Sequence, residues 1–244
     1  MAGWLASSPT GPGRIPGGRN IAIPAEAAYI GGVTLWAFVS DIHGNRRRLE
    51  RAAELAVARG VDHYVSLGDV IGKGDPNGCM DWVRDHATIA LVGNRDLDHV
   101  DLVRPDLQRL VQTWPREAQA SNFVLSHGDP SLHRILNSGA IRDGFRRAHG
   151  YLAAKQADLW FFGHTHWARV WQVADPEPLF LDGNNIQFHE AQRYVINVGT
   201  AGLPRAGRGG VSMTFYDDAA RTLEIVPLES ADALVYSKPV PMEV

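Results

Sequence analysis

The sequence predicts an α/β protein with a parallel-rich sheet covered by helices and a second sheet, built from hairpins, packed against it. Three observations carry this. Short apolar runs alternate with helical stretches through the middle of the chain, the signature of strand–helix–strand units. Each run is rich in β-branched or aromatic residues and nearly unbroken, as in strands covered on both faces. The last third changes character: "ARVWQV", "LFLD", "RYVINVGT" and "VSMTFYDDAARTLEIV" read as strands and hairpins.

Taken in order, the first strand is "TLWAFVSD", which ends at Asp41. After Asn45, residues Leu49, Ala52, Ala53, Ala56 and Val57 recur at helical spacing, and Gly60 provides the stop. "HYVSLGD" ends at Asp69, and a helix is expected from Pro76 to His86. "TIALVGN" ends at Asn94 and "NFVLSH" at His127. A later helix spans Ile141 to Ala154, and "DLWFFGHTH" ends at His164 and His166. Residues 1–32, rich in Gly, Pro and Ala, read as a flexible extension; 33–228 form one domain; 229–244 are a patternless tail.

The formal net charge of −3 argues against a general nucleic-acid or membrane-surface binder. The single cysteine, Cys79, excludes an internal disulfide and suits a reducing cytoplasm, the expected location. It is expected to pack near a helix start, with nothing around it to activate a thiolate. No apolar stretch approaches the ~20 residues that cross a bilayer, and the N-terminus lacks the pattern of a secretory signal. No phosphate-binding Gly-rich loop of the nucleoside-triphosphatase type appears, and no serine nucleophile elbow.

Every strand in the first group ends in the same way: a small residue, then Asp, Asn or His. Ligands of open α/β sheets gather outside the carboxyl ends of the strands, so these polar endings are expected to share one crevice. Alternate residues of an extended segment face the same side, which lets His164 and His166 reach toward one point. The inventory is Asp41, His43, Asp69, Asn94, His127, His164 and His166. Carboxylate, amide and imidazole donors without a thiolate suit Mn, Fe, Zn or similar ions. Seven groups exceed the needs of one ion with room for substrate, but match two divalent ions sharing Asp69. Any one motif alone is more often a turn or a helix cap; all five, in order and at strand ends, favour the metal.

Together "DIHGN" (41–45), "GD" (68–69), "GNRD" (93–96), "SHG" (126–128) and "GHTH" (163–166) resemble the calcineurin-like metallophosphoesterase superfamily. The later "INVGTAGLPRAG" (196–207) is similar to that family's closing segment. The spacing of "LGDVIGKGDPNGC" resembles its small bacterial single-domain branch, related to diadenosine tetraphosphatase and protein phosphatases. The resemblance implies a four-layer α/β/β/α sandwich of two mixed β-sheets flanked by helices. It also implies that Asp41, His43 and His166 hold one metal, that Asn94, His127 and His164 hold the other, and that Asp69 bridges them. The activity implied is hydrolysis of a small phosphomonoester or phosphodiester, nucleotides among them, by direct attack of a metal-bridging hydroxide. A protein Ser/Thr phosphatase and a non-catalytic scaffold of the same fold are the alternatives, and no membrane partner is implied.

One position departs from the family. Where a histidine follows the "GN", this chain has Arg95. A guanidinium is a poor general acid but binds phosphoryl oxygens well. The expected catalytic group is therefore Asn94, Arg95 and Asp96, with Asp96 either orienting Arg95 or capping the next turn. Lys73 and Arg205 are candidate substrate contacts, each weighed against a plain surface role. Asp75 shares the loop of Lys73. Trp167 either stacks on a base or, on the safer reading, packs in the core. Arg46-Arg47-Arg48, placed against the helix dipole, reads as a solvated face, with contact to an anionic substrate near the rim as the alternative. His63, His86, His99, His133, His149 and His189 fit no ligand spacing.

Overall fold

A computed structural model describes residues 34–128, 141–174, 178–206 and 209–229. The expected N-terminal extension, the tail beyond Glu229, and His133 lie outside these residues. The chain runs β1 (Leu35–Val39), α1 (Arg46–Ala58), β2 (His63–Ser66), α2 (Pro76–His86), β3 (Ile89–Ala90), α3 (Asn94–Asp98) and a 3-10 turn (Val100–Leu102). It continues with α4 (Pro105–Val111), β4 (Glu117–Ala120), β5 (Phe123–Ser126), α5 (Ile141–Ala154), β6 (Leu159–Phe162), β7 (Arg169–Gln172) and β8 (Leu179–Leu181). The last strands are β9 (Asn185–Gln187), β10 (Tyr194–Asn197), β11 (Ser212–Asp217) and β12 (Thr222–Pro227).

The strands form two six-stranded mixed sheets, ordered β3-β2-β1-β11-β12-β9 and β4-β5-β6-β10-β7-β8. This corrects one expectation. The motif-bearing strands do not share a sheet: β1, β2 and β3 lie in the first, β5 and β6 in the second. Nor is the last third a sheet of its own. β11 adds antiparallel to the free edge of β1, pairing Trp36 with Tyr216 and Phe38 with Thr214, while β10 lies parallel to β6. A fully buried strand announces that both faces are covered; which neighbour shares its ladder is decided by partners far away in sequence.

Alternation along the strands builds the layers. In β1, Ala37 and Val39 point toward α1 and α2 and pack with Leu49, Ala52, Met80 and Val83. Trp36 and Phe38 point the other way, into the space between the sheets, with Phe123, Phe161, Ile196 and Tyr216. Phe38 and Phe161 stack across that space with ring centroids 4.2 Å apart. In β6, Trp160 and Phe162 face α5 and meet Phe145, Ala148 and Leu152. Three apolar layers thus separate four layers of structure.

Two helices start shortly after β1 and β2. Asn45 caps α1, its side chain accepting the N–H of Arg48 at 3.3 Å. Asp75 caps α2, accepting from Gly78 N–H at 2.8 Å, and Pro76 occupies the first turn. Cys79 is buried inside α2, where burial pushes its thiol up to about 12, so it is inert at neutral pH.

Candidate metal centre

The carboxyl ends of β1, β2, β3, β5 and β6 meet where the two sheets face each other. The backbone there is unusual. Nine non-glycine residues among the described residues have positive φ, and five of them are Asp41, His43, Asp69, His164 and His166. Each such residue costs of order 1–3 kcal/mol and persists only where surrounding contacts enforce it. The small residues preceding the ligands permit the crowding. A Cβ on Gly163 would fall 1.9 Å from Ser40 Oγ, and one on Gly93 would fall 2.1 Å from Asp69 Oδ1.

All seven expected donors come together. His166 Nε2 lies 3.1 Å from Asp41 Oδ1 and 3.3 Å from His43 Nε2. His43 Nε2 is 3.8 Å from Asp41 Oδ1 and from Asp69 Oδ2. The other oxygen of Asp69, Oδ1, is 3.3 Å from His127 Nε2. His127 Nε2 is 3.3 Å from His164 Nδ1, which lies 3.0 Å from Asn94 Oδ1. Asp69 therefore turns one oxygen toward each half of the cluster.

The hydrogen bonds behind the rings decide what they present. His127 Nδ1 donates to the carbonyl of Leu67 at 2.9 Å, and His166 Nδ1 donates to that of Leu203. In a neutral ring this assigns the proton to Nδ1 and leaves the Nε2 lone pair facing the cluster. Asp41 Oδ1 is wholly buried and receives no hydrogen bond, while Oδ2 accepts the N–H of His164 at 2.8 Å. Lone pairs and carboxylates converging at such distances require positive charge between them. Asp41, His43 and His166, and likewise Asp41, Asp69 and His127, offer donor atoms within 4.8 Å of one another. The donor set fits divalent cations.

Protons compete for the same place. Burial pulls the His127 imidazole down, but the hydrogen bond to Asp69 and the charges of Asp41, Asp69 and Asp96 outweigh it and lift it to about 9. Burial pushes the Asp41 carboxyl up, yet His166 and His43 hold it far below the carboxylate range.

Three residues position the donors without joining them. Of the two roles expected for Asp96, the structure shows the cap and not the orientation of Arg95: its buried carboxylate accepts N–H groups from Asp69 at 2.9 Å, Ile71 at 2.8 Å and Gly93 at 2.9 Å. It caps α3 and fixes the Asp69 loop. Asn197 donates to Gly163 O at 2.7 Å and Thr165 Oγ1 at 2.8 Å, clamping the "GHTH" turn. Thr200 donates to Asp41 O at 2.9 Å and accepts from Leu203 N–H. Sequence reasoning passed over Asn197 and Thr200; their only signal is the segment "INVGTAGLPRAG" itself.

A cleft of about 780 Å³ opens beside His43, lined by Arg46, Lys73, Asp75, Arg95, His99 and Arg205 among others. Arg205 reaches the cluster, with Nη2 3.3 Å from His166 Nε2. Arg95 donates its backbone N–H to Asp69 Oδ1 at 2.7 Å and lies 3.7 Å from Asp98 through its side chain. The Arg46–Arg48 run is not a plain solvated face. Arg46 lines the cleft, Arg48 pairs with Glu229 and donates to Gly202 O at 2.7 Å, and only Arg47 is exposed. Trp167 is not a core residue either: it is half-buried, with the Arg169 guanidinium 3.6 Å above its ring. Among the remaining histidines, His63 and His86 stack on Trp36 and Trp82.

Fold and site together show a two-sheet α/β sandwich with candidate Asp/His metal-binding groups at its strand ends. The model of the calcineurin-like phosphoesterase superfamily domain matches residues 35–218, and the chain belongs to that superfamily. It is 26% identical over 230 residues to an uncharacterized protein of Methanocaldococcus jannaschii, covering 83% of this chain and 90% of that one. A metallophosphoesterase from Sphaerobacter thermophilus shares the fold, with a TM-score of 0.65 at 22% identity over 83% of this chain and 91% of the other. A hypothetical protein from Pyrococcus horikoshii OT3 does so at a TM-score of 0.53 and 12% identity, over 80% and 88%. No helix among the described residues is long and apolar enough to cross a membrane.

Proposed function

We propose that the chain is a cytoplasmic, dinuclear metal-dependent hydrolase of small phosphate esters. The observation that carries this is Asp69, whose two oxygens face separate donor groups, His43 with Asp41 and His166 on one side and His127 with His164 and Asn94 on the other. Two divalent ions of the Mn, Fe or Zn kind, held by these donors, would supply Lewis acidity for the hydrolysis. The chain's own residues do the rest. Leu67 and Leu203 hold His127 and His166 in the ligating tautomer. Asp96 and Thr200 set the backbones of Asp69 and Asp41. Arg95 and Arg205 offer guanidinium forks to phosphoryl oxygens at the mouth of the cleft.

A cleft of about 780 Å³ has the size of sites for small molecules, which favours a nucleotide-sized ester over a folded phosphoprotein. The filled donor set favours an enzyme over a scaffold. Purified protein with Mn²⁺ is expected to hydrolyse p-nitrophenyl phosphate or its bis-ester, and Asp69→Asn to abolish turnover. An undiminished rate in that variant removes the reading.

A further inference from the structure

Arg48 stands where a helix disfavours it. It lies in the first turn of α1, which carries no acidic residue, and a cation there opposes the helix dipole. Its guanidinium is nonetheless fully engaged. Nε donates to Glu229 Oε1 at 2.8 Å, Nη2 pairs with the same oxygen, and Nη1 donates to Gly202 O at 2.7 Å. The Asn45 side chain, which caps the same helix, reaches the same carbonyl through Nδ2 at 3.1 Å. Glu229 follows β12, so the end of the domain is tied through Arg48 to the loop after β10.

That loop leads straight to a metal donor. The N–H of Gly202 donates to Asp41 O at 3.1 Å, and a Cβ on Gly202 would fall 1.7 Å from Ile42 O, so its peptide is wedged between the end of β1 and the start of α1. The next residue, Leu203, gives its N–H to Thr200 Oγ1 at 2.9 Å and its carbonyl to His166 Nδ1. Two residues further on, Arg205 places Nη2 3.3 Å from Nε2 of the same ring. The short segment 202–205 thus fixes the rear of His166 and brings a cation to its front. His127 has a separate support, the carbonyl of Leu67.

We infer that Arg48, braced by Glu229, is a positioning residue for the His166 half of the metal centre: by gripping Gly202 O it keeps the Leu203 carbonyl on His166 Nδ1 and the Nε2 lone pair on the cluster. It acts through the 202–203 backbone alone. Its effect on cation binding rests on the proposed metal-dependent reading; its effect on the ring does not. The two ways in which Arg48 can influence a cation have opposite signs. Removing a positive charge from the neighbourhood of a cation site strengthens binding by Coulomb attraction. Releasing Gly202 weakens it, because the ligand ring loses its support.

The test reads the ring and the metal separately. In the metal-free parent protein, ¹⁵N-histidine NMR is expected to show slowly exchanging Nδ1–H signals from both His127 and His166. In Arg48→Met, which keeps the aliphatic stem, the His166 signal is expected to be lost to exchange and the His127 signal to stay. In calorimetric Mn²⁺ titrations of the same variant, one ion is expected to bind about tenfold more weakly, as for loss of an outer support of a ligand, and the other as in the parent. Arg48→Lys keeps the charge but lacks the fork that spans two acceptors, so it is expected to follow Arg48→Met. Glu229→Gln is expected to move both readouts in the same direction by less, and it serves if the Arg48 variants fail to fold. A His166 signal unchanged in these variants, parent behaviour in Arg48→Lys, tighter Mn²⁺ binding or equal weakening of both ions overturns the positioning role. Loss of the His166 signal in a protein that binds no Mn²⁺ leaves that role standing without the metal-dependent reading. Two bound ions and ester hydrolysis with His166 unmoved by the variants do the reverse.

Discussion

The carboxylate of Asp96 holds the backbone of Asp69 from below, accepting its N–H at 2.9 Å while a second bond to Ile71 fixes the far side of the same turn. A buried acid that touches no substrate thus maintains the left-handed φ of 55° at Asp69. Asp96→Ala deprives three buried N–H groups of their acceptor, a loss of about 3 kcal/mol or more. Denaturant unfolding should register that drop, and metal analysis should show fewer ions per chain. A variant as stable and as metal-rich as the parent would refute the positioning role.

Metal loading should depend on pH with a definite sign. In the metal-free protein the His127 imidazolium is stabilised by Asp69 and the other carboxylates, which lifts its titration to about 9. The stability this contributes is complete below the ordinary histidine value and fades as pH rises through about 9. A cation must displace that proton. Mn²⁺ affinity is therefore expected to climb from pH 6.5 to 9, by up to about tenfold per unit for each proton displaced, and then level off. Calorimetry in buffers of different ionisation enthalpy measures the proton released; pH-independent affinity over that interval contradicts the competition.

Arg95 makes a prediction about leaving groups. A guanidinium stays protonated and donates hydrogen bonds, but does not release a proton to an alkoxide. Esters of acidic alcohols, such as p-nitrophenol, should turn over faster than alkyl esters. Arg95→His is expected to narrow the difference by about tenfold or more, within the range of a general acid's contribution. Equal rates for both ester types in the parent protein would dispose of this account.

Crowding at the strand ends predicts a severe small change. Gly163→Ala adds one carbon that would lie 1.9 Å from Ser40 Oγ and 2.8 Å from Asp41 Oδ2. Overpacking of this kind costs about 1–3 kcal/mol, and the displaced Asp41 should lower metal content as well. Gly60→Ala is the control for a glycine outside the site: there a Cβ meets nothing within 4 Å, although φ is +64°. Metal content is expected to stay at the parent level in Gly60→Ala and fall in Gly163→Ala. Equal content in both would show that the crowding has slack.

How much of the fold and the site was legible in the chain varies by level. α1, α2 and α5 fall where the periodicity of Leu49–Val57 and the stretches 76–86 and 141–154 put them, because an amphipathic face is a local pattern. The donors were legible because each ends a buried run, and a polar residue there has few bland explanations once five runs agree. The division into sheets was not, since the edge of β1 is claimed by β11, near the other end of the domain, and strand character does not specify a partner. Asp96, Asn197 and Thr200 act on backbone groups that become neighbours only after folding. Arg46 read as solvent-facing because a helix start says nothing about the cavity it will border.

Donors from both sheets have a mechanical consequence. His43 and Asp69 ride on one half of the sandwich, His127 and His166 on the other, and they meet within a few ångströms. A cation seated among them acts as a rivet through the seam between the halves. Chelators should therefore loosen the whole molecule, not only silence it, and any slip of one half along the other would be felt first by the bound ions.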